Sequence, residues 1–305
     1  NCIMENTTPK KSAIQRLITG LIFGFTALFL LIAGGLPLLL LIAVVVIIGS
    51  IEYVKILQHK GFYPSIKVIL VVNTIFAVIA YFNCSRLMPV ALSAGLIIAF
   101  MWVLFKGRQP YIANVATTVL GFIYCGWCPL YLLFLRDLGA QNSTSIEMIL
   151  KTDIFNAGLG YVIFLLLCVV MTDVGCYVIG KNFGKHKLAP VISPNKTIEG
   201  SVGGAVCAIL LGLVIAYFIK LPFYHAIIMS IIVTAFAQIG DLCESLIKRD
   251  AGVKDSGDLL PGHGGFLDRS DSYILTIPVL YYYCAYFVQS NDLLMNIGNF
   301  IKGLF

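Results

Sequence analysis

The sequence predicts an all-α, polytopic membrane protein with about nine transmembrane helices. Of its 305 residues, 59% are hydrophobic and 12% are charged. A soluble domain carries about 25% charged residues, so this chain lacks the charge needed to cover a water-facing surface. Its apolar share also matches about nine spans of roughly 20 residues each. We therefore expect a lipid bilayer around the chain, and no nucleic-acid partner.

Nine apolar runs bounded by charged or turn residues supply the predicted helices. They cover residues 17–34, 36–51, 66–82, 87–105, 111–135, 159–180, 200–219, 224–243 and 273–289. The division between the first two depends on a very tight turn at Gly34 and Gly35. We expect five runs to form an N-terminal membrane region over 1–158, and four to form a catalytic membrane region over 159–305.

The basic residues predict the orientation, because cytoplasmic loops retain an excess of Lys and Arg. With the N-terminus in the cytoplasm and the C-terminus outside, 16 of the 21 basic residues lie on the cytoplasmic side. The five that fall outside are Arg86, Arg136, Lys151, Lys220 and Lys302. This uneven split supports nine crossings.

Cysteines and glycines within the apolar runs have simpler interpretations. Cys125 and Cys128 have redox spacing, but they lie in a hydrophobic segment with no neighbouring base, and we interpret them as packing residues. Gly200 and Gly204 have the small-xxx-small spacing that allows close helix contact. That spacing is common by chance, so it gives only a weak indication of a homodimer.

Two acids lie inside predicted spans. Asp173 and Asp241 are surrounded by apolar residues, and an acid at the bilayer centre costs roughly 2.5 to 3.5 kcal/mol on insertion scales. In the predicted topology both helices end in the cytoplasm, with each acid near that end. We expect the two carboxylates to line one cytoplasm-facing cavity.

The densest polar stretch follows Asp241 and predicts a metal site. Asp241 closes one predicted helix, while Asp268 and Asp271 open the next, three residues apart. If that start is helical, the last two acids share a face. Three converging carboxylates suit a hard cation that also binds phosphate oxygens, so we expect Mg²⁺.

The same stretch carries the opposite charge and a glycine-rich turn. Its cations and the one from the preceding loop are Lys248, Arg249, Lys254, Arg269 and Lys196. The turn containing His263, Gly264 and Gly265 is permissive enough for backbone N–H groups to approach an anion. Acids for a metal, cations and exposed donors together predict phosphoryl or nucleotidyl transfer. Lipid-headgroup binding alone would explain the cations, but not the acids or glycines.

This stretch resembles the defining motif of the phosphatidate cytidylyltransferase (CDP-diacylglycerol synthase) family. The matching positions are Ser245, Lys248, Arg249, Lys254, Asp255, Pro261, His263, Gly264, Gly265, Asp268, Arg269 and Asp271. The segment 193–200, Ser-Pro-Asn-Lys-Thr-Ile-Glu-Gly, is similar to a second element of the family. The helix around Asp173 is similar to a third, so the resemblance covers roughly residues 160 to 290.

The resemblance implies that the protein condenses CTP with phosphatidic acid to give CDP-diacylglycerol and pyrophosphate. We then expect catalytic roles for Lys248, Arg249, Lys254, His263 and Arg269. Substrate contacts are expected from Lys196, Ser193, Thr197, Gly264, Gly265 and Asp173. Metal binding is expected from Asp241, Asp268 and Asp271. The chain's length is similar to that of the bacterial branch, which implies a multi-pass protein of the cell membrane with its site facing the cytoplasm.

Two other functions are compatible with parts of the pattern. A CDP-alcohol phosphotransferase also uses Mg²⁺ and clustered aspartates, but it needs an Asp-Gly-x-x-Ala-Arg string that this sequence lacks. A secondary transporter also has intramembrane acids. Its charged residues would be spread around the midplane instead of gathering in two adjacent loops, and inverted repeats would be expected.

Overall fold

The computed structural model describes residues 24–140, 156–257 and 265–289 of the chain. These residues are mainly helical, with one short β-hairpin. Among them, six helical segments are long and apolar enough to cross a membrane. They are Gly35–His59, Ser85–Lys106, Tyr111–Arg136, Ala157–Phe183, Ile198–Ile219 and Phe223–Asp250. The chain is thus a polytopic membrane protein, as its composition predicts.

The first part of the described chain contains six helices in sequence order. They are α1 (Gly24–Ala33), α2 (Gly35–His59), α3 (Ile66–Tyr81), α4 (Met88–Lys106), α5 (Tyr111–Phe122) and α6 (Cys128–Arg136). A π-helical turn, Ile123–Trp127, joins α5 to α6 so that they form one span. Gly34, with a φ of 66°, separates α1 from α2. The predicted break is therefore confirmed, but α2 continues to His59 instead of ending at residue 51.

Arg136, which we predicted to lie on the outer side of the membrane, is fully buried within the protein at the end of α6. Its Nε and Nη2 donate to the carbonyl oxygens of Leu31 and Ile32 at 3.1 and 2.9 Å, and its Nη1 donates to Asn156 Oδ1 at 2.6 Å. The last carbonyls of a helix have no intrahelical partner, so this guanidinium completes the end of α1. Arg136 is a packing residue and carries no information about orientation.

The second part contains a hairpin and five helices. They are α7 (Ala157–Phe183), β1 (Lys187–Ala189), β2 (Ser193–Thr197), α8 (Ile198–Ile219), α9 (Phe223–Asp250), α10 (Leu267–Ile274) and α11 (Thr276–Tyr283). The strands are antiparallel, and Lys187 pairs with Thr197. A second π-helical turn, Cys284–Val288, follows α11.

Small residues allow α7 and α8 to pack closely. A Cβ added at Gly204 would lie 2.5 Å from Cys176 Sγ, and one at Gly200 would lie 2.7 Å from the carbonyl oxygen of Cys176. The small-xxx-small pair of α8 therefore packs within the chain, and it no longer supports a homodimer. Cys125 and Cys128 are buried and free, as the packing interpretation predicts.

One predicted boundary near the polar stretch was wrong and another is confirmed. Helix α9 continues past residue 243 to Asp250, whereas α10 begins at Leu267, so that Asp268 and Asp271 open it as predicted. Lys248 therefore lies on a helix instead of in a loop. The helix can continue because Lys248 pairs with Glu244 one turn earlier. It ends where Gly252 adopts a φ of 74°, a conformation that glycine accommodates without strain.

Candidate active site

A cavity of about 460 Å³ lies where α7, the hairpin, α8 and α9 meet. Asp173 from α7 and Asp241 from α9 both line it. Its wall also includes Tyr177, Lys196, Thr197, Ser201 and Gln238. Acidic, basic and amide side chains therefore surround one space large enough for part of a nucleotide.

Lys196 on β2 pairs directly with Asp241 on α9. Its Nζ lies 2.5 Å from Asp241 Oδ2, and Ser245 Oγ donates to Asp241 Oδ1 at 3.4 Å. The neighbouring Thr197 is buried, and its hydroxyl accepts the N–H of Gly200 at 3.2 Å. Because this bond caps α8, it fixes the hairpin strand that carries Lys196.

Glu199 holds the other strand of the hairpin. Its Oε2 accepts the backbone N–H groups of Lys185 and His186 at 3.0 and 3.1 Å, and its Oε1 lies 2.6 Å from His186 Nδ1. Ile198 N–H donates to the carbonyl oxygen of His186 at 2.9 Å. The start of α8 and the segment before β1 are thus tied together, which limits the positions available to Lys196.

Three carboxylates form an acidic group beside the cavity, namely Asp173, Asp241 and Asp271. Each interacts electrostatically with the other two. Asp271 on α10 is 8% exposed, and its Oδ1 accepts the N–H of Ser272 at 2.6 Å. Burial, together with the negative charge of Asp241, raises the pKa of Asp271 to about 7. The group is therefore short of positive charge.

Asp268 belongs to a second group, centred on Lys248. The Lys248 ammonium lies 2.5 Å from Glu244 Oε2 and 2.5 Å from Asp268 Oδ1. Asp268 Oδ2 accepts Ser256 N–H at 3.0 Å, Ser256 Oγ at 2.9 Å and Gly265 N–H at 3.0 Å. Burial acts to raise the pKa of Asp268, but the bonds from Lys248 and Ser256 outweigh it and hold that pKa at about 2.

Gly265 has a different contact from the one the sequence suggests. We predicted that its N–H approaches a substrate anion, but this N–H donates to Asp268. A Cβ at Gly265 would lie 1.7 Å from Ser256 Oγ, so the close packing of this turn explains the glycine. His263 and Gly264 lie outside the described residues.

The remaining predicted cations do not line the cavity. Arg249, Lys254 and Arg269 are exposed, and Arg249 Nη1 donates to the carbonyl oxygen of Val253 at 3.4 Å. Ser193 is half-buried at the start of β2. The three exposed cations remain accessible to an incoming anion.

Two buried acids near the site were missed by the sequence reasoning. Glu244 pairs with Lys248, and Glu52 on α2 accepts bonds from Ser256 and from the start of α10. Glu52 lies between Ile51 and Tyr53 in a long apolar segment. The criterion that selected Asp173 and Asp241, an acid in an apolar segment, would also have selected Glu52.

A family model described as the cytidylyltransferase family matches residues 14–287. The chain belongs to the cytidylyltransferase family. A phosphatidate cytidylyltransferase from Synechocystis is 35% identical over 281 residues, which cover 88% of this chain and 95% of the relative. One from Bacillus subtilis is 33% identical over 287 residues, or 90% and 98% of the two chains. One from Staphylococcus saprophyticus is 51% identical over 125 residues, or 40% and 48%.

The donor set of this cytidylyltransferase-family chain is compatible with a hard divalent cation. In the described part of the chain, no three His, Cys, Asp or Glu side chains gather closely enough to hold a metal ion. However, Asp241 and Asp271 repel each other, and burial raises the cost of the charge on Asp271. A divalent cation would relieve that repulsion with the oxygen ligands that it prefers. Asp268 lies three residues before Asp271 on the same short helix.

Proposed function

We propose that this protein condenses CTP with phosphatidate to form CDP-diacylglycerol and pyrophosphate in the cell membrane. The observation that carries the activity is the match to relatives named phosphatidate cytidylyltransferase over about nine tenths of the chain. The cavity supports it, because acids and cations from separate elements face one space.

The reaction requires little acid–base chemistry. A phosphate oxygen of the lipid attacks the α-phosphorus of CTP, forming a new P–O bond. The bond from the α-phosphorus to its bridging oxygen breaks, and pyrophosphate leaves with that electron pair. The nucleophile is already ionised near neutral pH, so the main task is to bring two anions together and neutralise their charge.

The cations supply that neutralisation. We assign Lys196 and Lys248 to substrate phosphates, together with the exposed Arg249, Lys254 and Arg269 of the same polar stretch as Lys248. Lys196 and Lys248 are held by carboxylates, so their ammonium groups are in place before substrate arrives. Thr197 and Asp173 line the cavity, and Ser193 begins the strand that carries Lys196; all three are assigned to substrate contacts. His263 and Gly264 are assigned the roles that the resemblance implies, whereas the N–H of Gly265 is engaged by Asp268.

Mg²⁺ is the proposed cofactor, with Asp241, Asp268 and Asp271 as its ligands. When bound, it would neutralise charge on the triphosphate. Asp268 now pairs with Lys248, but Lys248 has a second partner in the buried Glu244. Glu244 can therefore keep Lys248 in position when Asp268 takes another cation.

We further propose nine crossings, with the N-terminus and the active site in the cytoplasm, and a catalytic region over residues 159–305. The test uses spheroplasts and a membrane-impermeant maleimide. Native Cys84, which is exposed and precedes α4, should react from outside. Asp250→Cys at the exposed end of α9 should react only after permeabilisation, when it is placed in a chain without other cysteines. Labelling of Asp250→Cys in intact spheroplasts would contradict this orientation.

The activity is tested with purified protein, CTP labelled on the α-phosphate, phosphatidate and Mg²⁺. We expect the label to appear in a CDP-lipid, with one pyrophosphate released for each lipid formed. Diacylglycerol, which lacks the attacking phosphate, is the matched control and should give no product. Absence of CDP-lipid from a folded, Mg²⁺-supplied preparation would refute the assignment, whereas a CDP-alcohol phosphotransferase would consume CDP-lipid and release CMP.

A further inference from the structure

Glu52 is a buried carboxylate in the membrane-spanning helix α2. Its side chain is only 3% exposed, and it lies far along the chain from the residues that we assign to catalysis. A charged group withdrawn from water is expensive unless it is hydrogen-bonded or paired. Its contacts therefore indicate its role.

The contacts of Glu52 are with the start of α10. Oε1 accepts the N–H of Phe266 at 2.9 Å, and Oε2 accepts the N–H of Leu267 at 2.7 Å. The first N–H groups of a helix have no partner within it, and a negative charge is favourable there. Phe266, the N-cap residue of α10, makes no side-chain capping bond. Glu52 supplies that cap from another helix.

The third contact connects Glu52 with the Lys248 group. Ser256 Oγ lies 3.3 Å from Glu52 Oε2 and 2.9 Å from Asp268 Oδ2. A hydroxyl has a single proton to donate, and the shorter distance favours Asp268. The two backbone bonds are thus the firm connection between α2 and α10, while Ser256 packs between the two carboxylates.

The surroundings of Glu52 leave little room for adjustment. A Cβ at Gly257 would lie 3.0 Å from Glu52 Oε1, and a Cβ at Gly49 would lie 3.6 Å from Leu267 Cδ1. Both sides of the contact are closely packed, so a shift of the carboxylate would move the backbone that it holds.

We propose that Glu52 is a positioning residue, which fixes the start of α10 and thereby places Asp268 against Lys248 and Asp271 beside Asp241 on α9. This inference rests on the proposed function, because it gives Glu52 a task in that reaction. Asp268 and Asp271 follow the two capped N–H groups within one and a half turns. A misplacement of catalytic groups by about 1 Å can cost roughly 100-fold in rate.

Glu52→Gln tests the proposal, because it keeps the shape but replaces one acceptor oxygen with a donor NH₂. We expect kcat to fall by about 100-fold at saturating CTP and phosphatidate, with little change in either KM. Hydrogen–deuterium exchange of a peptide covering residues 265–275 should become faster, because the Phe266 and Leu267 amides lose an acceptor. The exchange measurement needs neither substrate nor metal.

Ser50→Ala on the same helix is the matched control. Ser50 is fully buried; its hydroxyl donates to the carbonyl oxygen of Val46 at 2.6 Å and accepts from Asn73 Nδ2 at 3.4 Å, and neither bond involves α10. We expect the Ser50→Ala variant to match wild type both in hydrogen–deuterium exchange over residues 265–275 and in kcat. If Glu52→Gln does not fold, Glu52→Asp, which is one methylene shorter, takes its place in the comparison.

Three results would overturn the proposal: an unchanged kcat in the folded variant, unchanged exchange over 265–275, or the same losses in Ser50→Ala. The last would show that any buried polar change in α2 weakens the protein. If the wild-type protein formed no CDP-lipid, but Glu52→Gln still exchanged faster than wild type over residues 265–275, the proposed function would be contradicted. The capping role of Glu52 would then remain.

Discussion

Asp268→Asn is expected to abolish turnover and to lower the melting temperature at the same time. Asp268 receives four bonds, from Lys248, from both donors of Ser256 and from the N–H of Gly265. An asparagine can accept on one oxygen only, and its NH₂ must face a donor. Lys248 also loses one of its two carboxylates. Because Asp268 and Lys248 are mostly buried, breaking the pair should cost about 3 kcal/mol of unfolding free energy.

The measurement combines CDP-lipid formation with a thermal melt of the detergent-solubilised protein. Asp250→Asn is the control, because Asp250 pairs with Lys60 in a largely exposed ion pair, and such pairs contribute little to stability. We expect the control to match wild type in both measurements. Retained turnover in Asp268→Asn would remove Asp268 from the site, and an unchanged melting temperature would show that its four bonds add no stability.

The helices were predictable where apolar runs end in residues that stay in water. Helices α4 and α8 and the combined α5–α6 span lie within a few residues of their predicted bounds, because charged or turn residues flank them. The ends of α2 and α9 were placed too early. Both predicted runs were ended before charged residues, yet Glu52 and Lys248 are each satisfied by residues distant in sequence. Such partners cannot be read from a hydropathy pattern.

The chemistry of the site was more predictable than its grouping. The search for acidic residues within apolar runs selected Asp173 and Asp241, and these two do line one cavity. Asp268 and Asp271 were expected to act together because three residues separate them on a helix. The fold instead directs Asp268 toward Lys248 and Ser256, and Asp271 toward Asp241. Which neighbour a side chain meets depends on the packing of α10 against α2 and α9, and spacing within one helix does not determine it.

Asp271→Asn distinguishes the acidic group that contains Asp271 from the Lys248 group that contains Asp268. We expect it to abolish turnover without lowering the stability of the metal-free protein. Asp271 is buried and interacts with Asp241 and Asp173, which repel its carboxylate when it is ionised. Its described hydrogen bond comes from the N–H of Ser272, and an asparagine oxygen can still accept it. The substitution therefore removes repulsion while keeping the bond, so the melting temperature in a chelator should stay the same or rise.

Adding Mg²⁺ distinguishes a metal ligand from a structural acid. A ligand that binds only the folded state raises its stability by mass action, so Mg²⁺ should raise the melting temperature of the wild-type protein and raise it much less in Asp271→Asn. Asp268→Asn should begin from a lower melting temperature in the chelator, because it loses the Lys248 pair. If Asp271→Asn lowered the melting temperature in the chelator as much as Asp268→Asn does, repulsion among the three acids would not be the dominant interaction of Asp271. The acidic group would then be held together by contacts within the protein and would not need a metal to compensate its charge.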